Sequence, residues 1–234
     1  MTSMVSDQSR AAAEFRDGAR DILPPLIAAI PIGLVYGAIC TAKGMSVVEA
    51  ALASALVFAG GAQFAATELW ANPPPVLALA LSTLLINARH VLMGASLKPK
   101  ARFGAATPFV VFWMADENWA LAERRAARGP VTLAYWLGMA APFYVNWITW
   151  TVVGAAGGAL LGDPARFGAD FAFTALFIGL VAGFWKGRST GVTVAAAGVA
   201  AALVYRTLGS PWHVLAGAFA GMVAAAATTR GGTR

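Results

Sequence analysis

Charge is the first thing this sequence is short of. Only 12% of its 234 residues are Asp, Glu, Lys or Arg, about half the share of an ordinary soluble domain, while 59% are hydrophobic. A water-soluble domain of this length must cover itself with charged side chains, so the shortage implies that much of the surface faces lipid. Cysteine is nearly missing too. Cys40 stands alone in an apolar run, which excludes a disulfide and a Cys-based metal site and leaves it as a small core residue. The first twenty residues hold Glu14, Arg16, Asp17 and Arg20 but no apolar stretch, so no cleaved secretory signal is expected there. No His-Glu-x-x-His or paired-Asp motif appears, which disfavours an intramembrane hydrolase using Ser54 or Ser82 with His90. No catalytic residue, metal or cofactor is expected. The net charge of +6 is spread over small clusters with no basic stripe interleaved with aromatics, so nucleic acid is not an expected partner.

What is present is apolar length. Crossing about 30 Å of hydrocarbon at 1.5 Å per residue takes roughly 20 apolar residues. Eight stretches reach or approach that length, near 22–41, 47–70, 76–97, 108–122, 131–161, 171–185, 190–205 and 212–227. If each crossed once, Lys98, Lys100 and Arg102 would face away from Arg10, Arg16 and Arg20, against the excess of basic residues in cytoplasmic loops. The charges sort themselves if 47–70 enters and leaves from one side, breaking at Gly60-Gly61, and 108–122 does the same from the other. This requires 131–161 to be one long helix, tilted or kinked at Pro142. Arg10, Arg16, Arg20, Lys98, Lys100, Arg102, Arg124, Arg125, Arg128, Lys186, Arg188, Arg230 and Arg234 then share the cytoplasmic side. Only Lys43, Arg166 and Arg206 lie outside, with Arg89 inside the membrane.

The expected fold is all-α, a polytopic integral membrane helical bundle with broken or re-entrant helices. It comprises a cytoplasmic N-terminal segment 1–20, a single transmembrane transporter domain 21–229 and a short tail 230–234. Around Phe15 the N-terminal segment reads either as an interfacial helix or as disorder of residues 1–10. Gly154, Gly158 and Gly162 recur every fourth residue as a helix-packing face, and the Ala- and Gly-rich stretches 190–202 and 216–227 invite close helix contacts. Trp113, Trp119, Trp136, Trp147, Trp150, Trp185 and Trp212 fit interfacial aromatic belts.

Three groups of polar residues interrupt the apolar runs. In Asn87-Ala88-Arg89-His90, Arg89 lies eight residues before Leu97, about 12 Å by helical rise and so near mid-membrane. A guanidinium there costs about 2.5 to 3.5 kcal/mol on insertion scales, which points to a bundle-facing position, an acidic partner or a solute path. Asn87 and His90 share its neighbourhood on a cavity wall. The second group is Asp116-Glu117-Asn118: two adjacent carboxylates in apolar surroundings are candidate proton carriers or a counter-ion for Arg89. The third is Phe58-Ala59-Gly60-Gly61-Ala62-Gln63-Phe64, where the glycines permit a helix break that aims half-helix ends at a central site, with Gln63 as a polar anchor. The expected substrate-binding set is Gly60, Gly61, Gln63, Phe64, Asn87, Arg89 and His90, with Phe58 and Leu85 beside an aliphatic group, and Asp116 and Glu117 for proton coupling or an ion pair.

With these residues in view, the sequence resembles the large subunit of the branched-chain amino acid exporter family, the azaleucine-resistance AzlC type. The likeness rests on Leu23-Pro24, Pro31-Ile32-Gly33, Tyr36-Gly37, Ser54, the Phe58–Phe64 block, Asn87-Ala88-Arg89-His90 and Asp116-Glu117, and extends over about 15–227. It implies export of valine, leucine and isoleucine driven by the proton motive force, in a bacterial cytoplasmic membrane. It also implies a small AzlD-type membrane subunit as partner. The family commonly has an arginine where Ala88 stands, which bears on substrate range. The rival readings are a non-transporting scaffold or ligand-sensing subunit and a passive channel. Number of crossings and homo-oligomerisation stay open.

Overall fold

The computed structural model describes residues 2–161, 187–209 and 212–230, with isolated positions between 178 and 185. The expected stretch 171–185, Gly162, Arg166, Lys186 and Arg234 lie wholly or largely outside the described residues. The described chain is overwhelmingly helical, as its composition requires: in lipid every backbone N–H and C=O must be satisfied within its own segment. The chain is an α-helical membrane protein. Its apolar outer face would be untenable in water, with Val76, Leu77 and Val91 more than 70% exposed.

Helix α1 (Thr2–Asp21) takes the helical of the two forms considered for the N-terminal segment and ends beside α2 (Leu23–Ala42). Pro24 and Pro25 occupy the first turn of α2, where a missing N–H costs nothing. The long helix α9 (Leu133–Leu161, 29 residues) contains Pro142 and is the central post of the bundle. It runs parallel to α2 at backbone contact distance. A Cβ placed on Gly37 would stand 2.0 Å from the Thr151 carbonyl oxygen, and one on Gly154 2.1 Å from that of Leu34. Gly154 and Gly158 therefore form the packing face their spacing suggested, with α2 as partner. Trp136 and Trp147, expected in interfacial belts, are instead core residues, 0% and 6% exposed, because α9 is enclosed on several sides.

Two segments turn back within the protein. Ser46 and Glu49 form a capping box that starts α3 (Val47–Val57); the chain breaks at Phe58-Ala59 and returns as α4 (Gly60–Leu69). Lys43, before α3, forms an ion pair with Glu68, near the end of α4, at 3.9 Å. A continuous 47–69 helix would separate those ends by about 30 Å, so both ends of the segment lie on one side. Next, α5 (Val76–Asn87) and α6 (Arg89–Leu97) traverse together, interrupted at Ala88. The second returning segment is α7 (Thr107–Phe112), an unwound turn, and α8 (Asp116–Ala126). Its two ends meet as well: Lys100 pairs with Glu123, and short strands β1 (Ala101–Arg102) and β2 (Val131–Thr132) lie side by side. Arg125 reaches Glu14 of α1 at 2.8 Å, and Tyr135 donates to Asp21 at 2.5 Å. The basic clusters at 98–102 and 124–128 thus gather with α1 at one end of the molecule, opposite Lys43, which matches the topology argued from charge. Finally α10 (Arg188–Leu208) and α11 (Trp212–Arg230) form a hairpin in which Gly217 and Gly221 lie against Ala197 and Thr193.

Candidate functional site

The tips of the two returning segments face one another. Between them, walled by α2 and α9, is a cavity of about 210 Å³. A cavity of about 150 Å³ suffices for benzene, so this one has room for a slightly larger molecule. Its lining includes Arg89, His90, Asp116 and Glu117, with Gly60 and Gly61, and the apolar Ala28, Ala29, Ile32, Phe64, Phe143 and Trp147.

Three helix starts converge here. The first is α4. Phe58 sits at φ 35°, a left-handed conformation costly for a bulky residue, and is held there between the rings of Phe143 and Tyr144 at 6.3 and 5.0 Å. The break therefore falls at Phe58-Ala59, not at the glycines, which form the first turn of α4 and let Trp147 approach the Gly60 backbone. Ala59 provides no side-chain cap and no acid lies in that turn, so its partial positive charge is uncomplemented within the helix. The second start is α6, with Arg89 as its first residue. Around Ala88 the backbone bonds skip to the tighter pattern, Ala88 N–H to Leu85 at 3.3 Å and Val91 N–H to Ala88 at 3.1 Å. The third is α8, whose entry turn is fastened by Asn118: its amide donates to the Trp113 carbonyl at 2.7 Å and accepts from the Ala115 N–H at 2.9 Å.

Arg89 Nη1 meets Asp116 Oδ2 at 2.9 Å, so the acid expected to neutralise the guanidinium does so. Their side chains remain 34% and 40% exposed, which places the pair at the cavity wall and limits its own worth to about 1 kcal/mol or less. Arg89 Nε and His90 Nε2 are enclosed with no hydrogen-bond partner in the protein, as is Asn87 Oδ1. Buried polar atoms left open at a cavity are capacity for a ligand.

The structure thus brings Gly60, Gly61, Phe64, Arg89, His90, Asp116 and Glu117 to one cavity, together with Phe58. Gln63 and Asn87 face a separate groove beyond α4, and Leu85 is absent from the cavity lining. The amide of Gln63 is engaged: it donates to Ser54 at 3.1 Å and accepts from the Trp147 indole at 2.9 Å, while Ser54 donates to Thr151 at 2.9 Å. This buried network ties both arms of the first returning segment to α9. The hydroxyl of Ser54 is thereby committed to Thr151, not to His90. A Gly-x-Ser-x-Gly pattern occurs at 187–191, but Ser189 lies in the first turn of α10 and pairs with Thr228 at 2.8 Å. Ala28, Ala29, Ile32, Phe143 and Trp147 were missed as site residues, since small and aromatic side chains in apolar helices carry no distinguishing signal of their own.

Comparison with known proteins gives a consistent set of relatives. A family model for the AzlC protein matches residues 24–161. The inner membrane protein YgaZ of Escherichia coli K12 is 30% identical over 234 residues, covering 96% of this chain and 95% of that protein. An uncharacterized membrane protein of Archaeoglobus fulgidus is 32% identical over 90% of this chain and 93% of its own length. The branched-chain amino acid transport protein AzlC of Bacillus subtilis 168 is 32% identical over 74% of this chain and 69% of its own. No solved structure matches.

Proposed function

We propose a transport function from one premise: the chain belongs to the AzlC protein family. Our reading is a secondary transporter subunit of the bacterial inner membrane that exports valine, leucine and isoleucine in exchange for protons, working with a small AzlD-type membrane subunit. The observation that carries it is the cavity between the returning segments, whose wall combines a guanidinium, two carboxylates and an uncapped helix start with apolar side chains. A zwitterion with an aliphatic side chain matches that combination. The substrate carboxylate takes Arg89 and the N-terminus of α4. Its ammonium takes Asp116, because Gln63 is already committed to Ser54 and Trp147. The side chain lies against Ala29, Ile32 and Phe143. Substrate then replaces each partner of the Arg89–Asp116 pair with one of its own charges, and Glu117, on the same wall, exchanges a proton for it.

The test is counterflow of labelled leucine in vesicles holding both subunits. Arg89→Ala should reduce exchange at least ~10-fold, about 1.4 kcal/mol of lost binding, and Glu117→Gln should uncouple exchange from the pH gradient. Normal exchange by both variants would show that this site is not the one used.

A further inference from the structure

The cavity at Arg89 is not the only one against the second returning segment. On the far side of its unwound turn lies a cavity of about 390 Å³, between the end of α6, α7 and the start of α9. The turn is the wall between them: Met114 lines this lower cavity while its neighbour Ala115 lines the upper one. The partition is thus about one residue thick at that point, and the Asn118 side chain clasps both of its backbone ends.

The lower cavity has its own chemistry. Leu97, Val110, Val111 and Met114 give it an apolar wall, and Lys98 and Arg102 stand at its rim. Neither cation has an ion-pair partner among the described residues, whereas nearby Lys100 is bound to Glu123 and Arg125 to Glu14. Trp136, fully buried, forms part of the lining, and its indole N–H has no hydrogen-bond partner in the protein. Two free cations, an apolar wall and an open donor suit a small molecule with a carboxylate and an aliphatic group.

We infer that this lower cavity is a loading site on the cytoplasmic side, where Lys98 and Arg102 take the carboxylate of the solute before it crosses the Met114-Ala115 partition to Arg89. This rests on the transport reading above. Placement on the cytoplasmic side follows from the basic residues gathered at this end of the molecule. The passage from lower to upper cavity hands the carboxylate from two rim cations to one guanidinium, so the solute is never without a positive partner on the way in.

Two measurements test it in vesicles of zwitterionic lipid holding both subunits. The first needs no transport: in a Cys40→Ser background, Met114→Cys should react with a small membrane-impermeant methanethiosulfonate applied from the cytoplasmic face and not from the other. Reaction from the opposite face, or from neither, overturns the assignment. The second is kinetic. Lys98→Gln with Arg102→Gln should raise KM for leucine about tenfold on the cytoplasmic face, leaving kcat and the opposite-face KM unchanged. An equal change on both faces indicates a structural effect and overturns the loading role. A KM effect confined to vesicles containing anionic lipid assigns the cations to lipid phosphate and overturns it too. Should leucine exchange be absent altogether, the transport reading fails, while the labelling result still decides whether this cavity opens to the cytoplasm.

Discussion

Arg89 and Gln63 both read as substrate ligands in the sequence, yet packing gives them different work. Arg89 has one acidic partner at the cavity wall and an enclosed Nε left open. Gln63 is 2% exposed and engaged by Ser54 and Trp147. The two substitutions should therefore separate. Gln63→Leu strands the Trp147 indole and breaks two buried hydrogen bonds, which costs about 1–3 kcal/mol and should lower the detergent-solubilised Tm by roughly 5 °C. Arg89→Ala should change Tm by much less while removing leucine exchange; equal Tm losses in both would mean that Arg89 is a structural residue. The charged residues of the site were legible because a charge in an apolar run demands an explanation. Asn118 was visible only as a companion of two acids. Its role in holding an unwound turn depends on the Trp113 carbonyl and Ala115 N–H being free, which no local pattern states.

At the scale of elements, the two returning segments could be read from the distribution of Lys and Arg, because that bias constrains which ends share a side. Where each segment breaks could not be read as well. Glycine marks where a backbone is free to bend, but the bend occurs at Phe58, fixed by Phe143 and Tyr144 from α9 far along the chain. The interruption at Ala88 has neither Gly nor Pro to announce it. Contacts between elements also give predictions. Gly37→Leu and Gly154→Leu would each force a side chain into the opposing backbone and should abolish recovery of monodisperse protein; normal recovery would show that α2 and α9 are not in backbone contact. Where α6 and α8 meet, burial pushes the Glu123 carboxyl up, but hydrogen bonds from Lys100 and Ser96 and the charge of Lys100 prevail and hold it below its usual value. A carboxylate depressed in the folded state contributes stability above its unfolded pKa of about 4.3 and loses it as pH falls through the folded value. Wild-type Tm should thus fall more steeply than that of Glu123→Gln below about pH 4.3. Parallel curves would show that this contact does not titrate with folding.

For the whole molecule, the helical membrane class followed from composition alone, whereas the apolar lining of the cavity did not. Ala29, Ile32 and Trp147 become a binding wall only because α2 and α9 run parallel at glycine-limited distance and the tips of α4 and α8 close the ends. The central claim is that this space between the tips, and not merely the charges beside it, holds the solute. Ala29, 5% exposed on the cavity wall, allows the claim to be tested without touching any charged group. The measurement is equilibrium binding of labelled leucine to the purified pair of subunits, wild type against Ala29→Phe. A phenyl ring filling the cavity should weaken binding at least ~100-fold, about 2.8 kcal/mol, with Tm held near the wild-type value. Unchanged affinity in a folded Ala29→Phe protein would place the solute elsewhere and contradict the account.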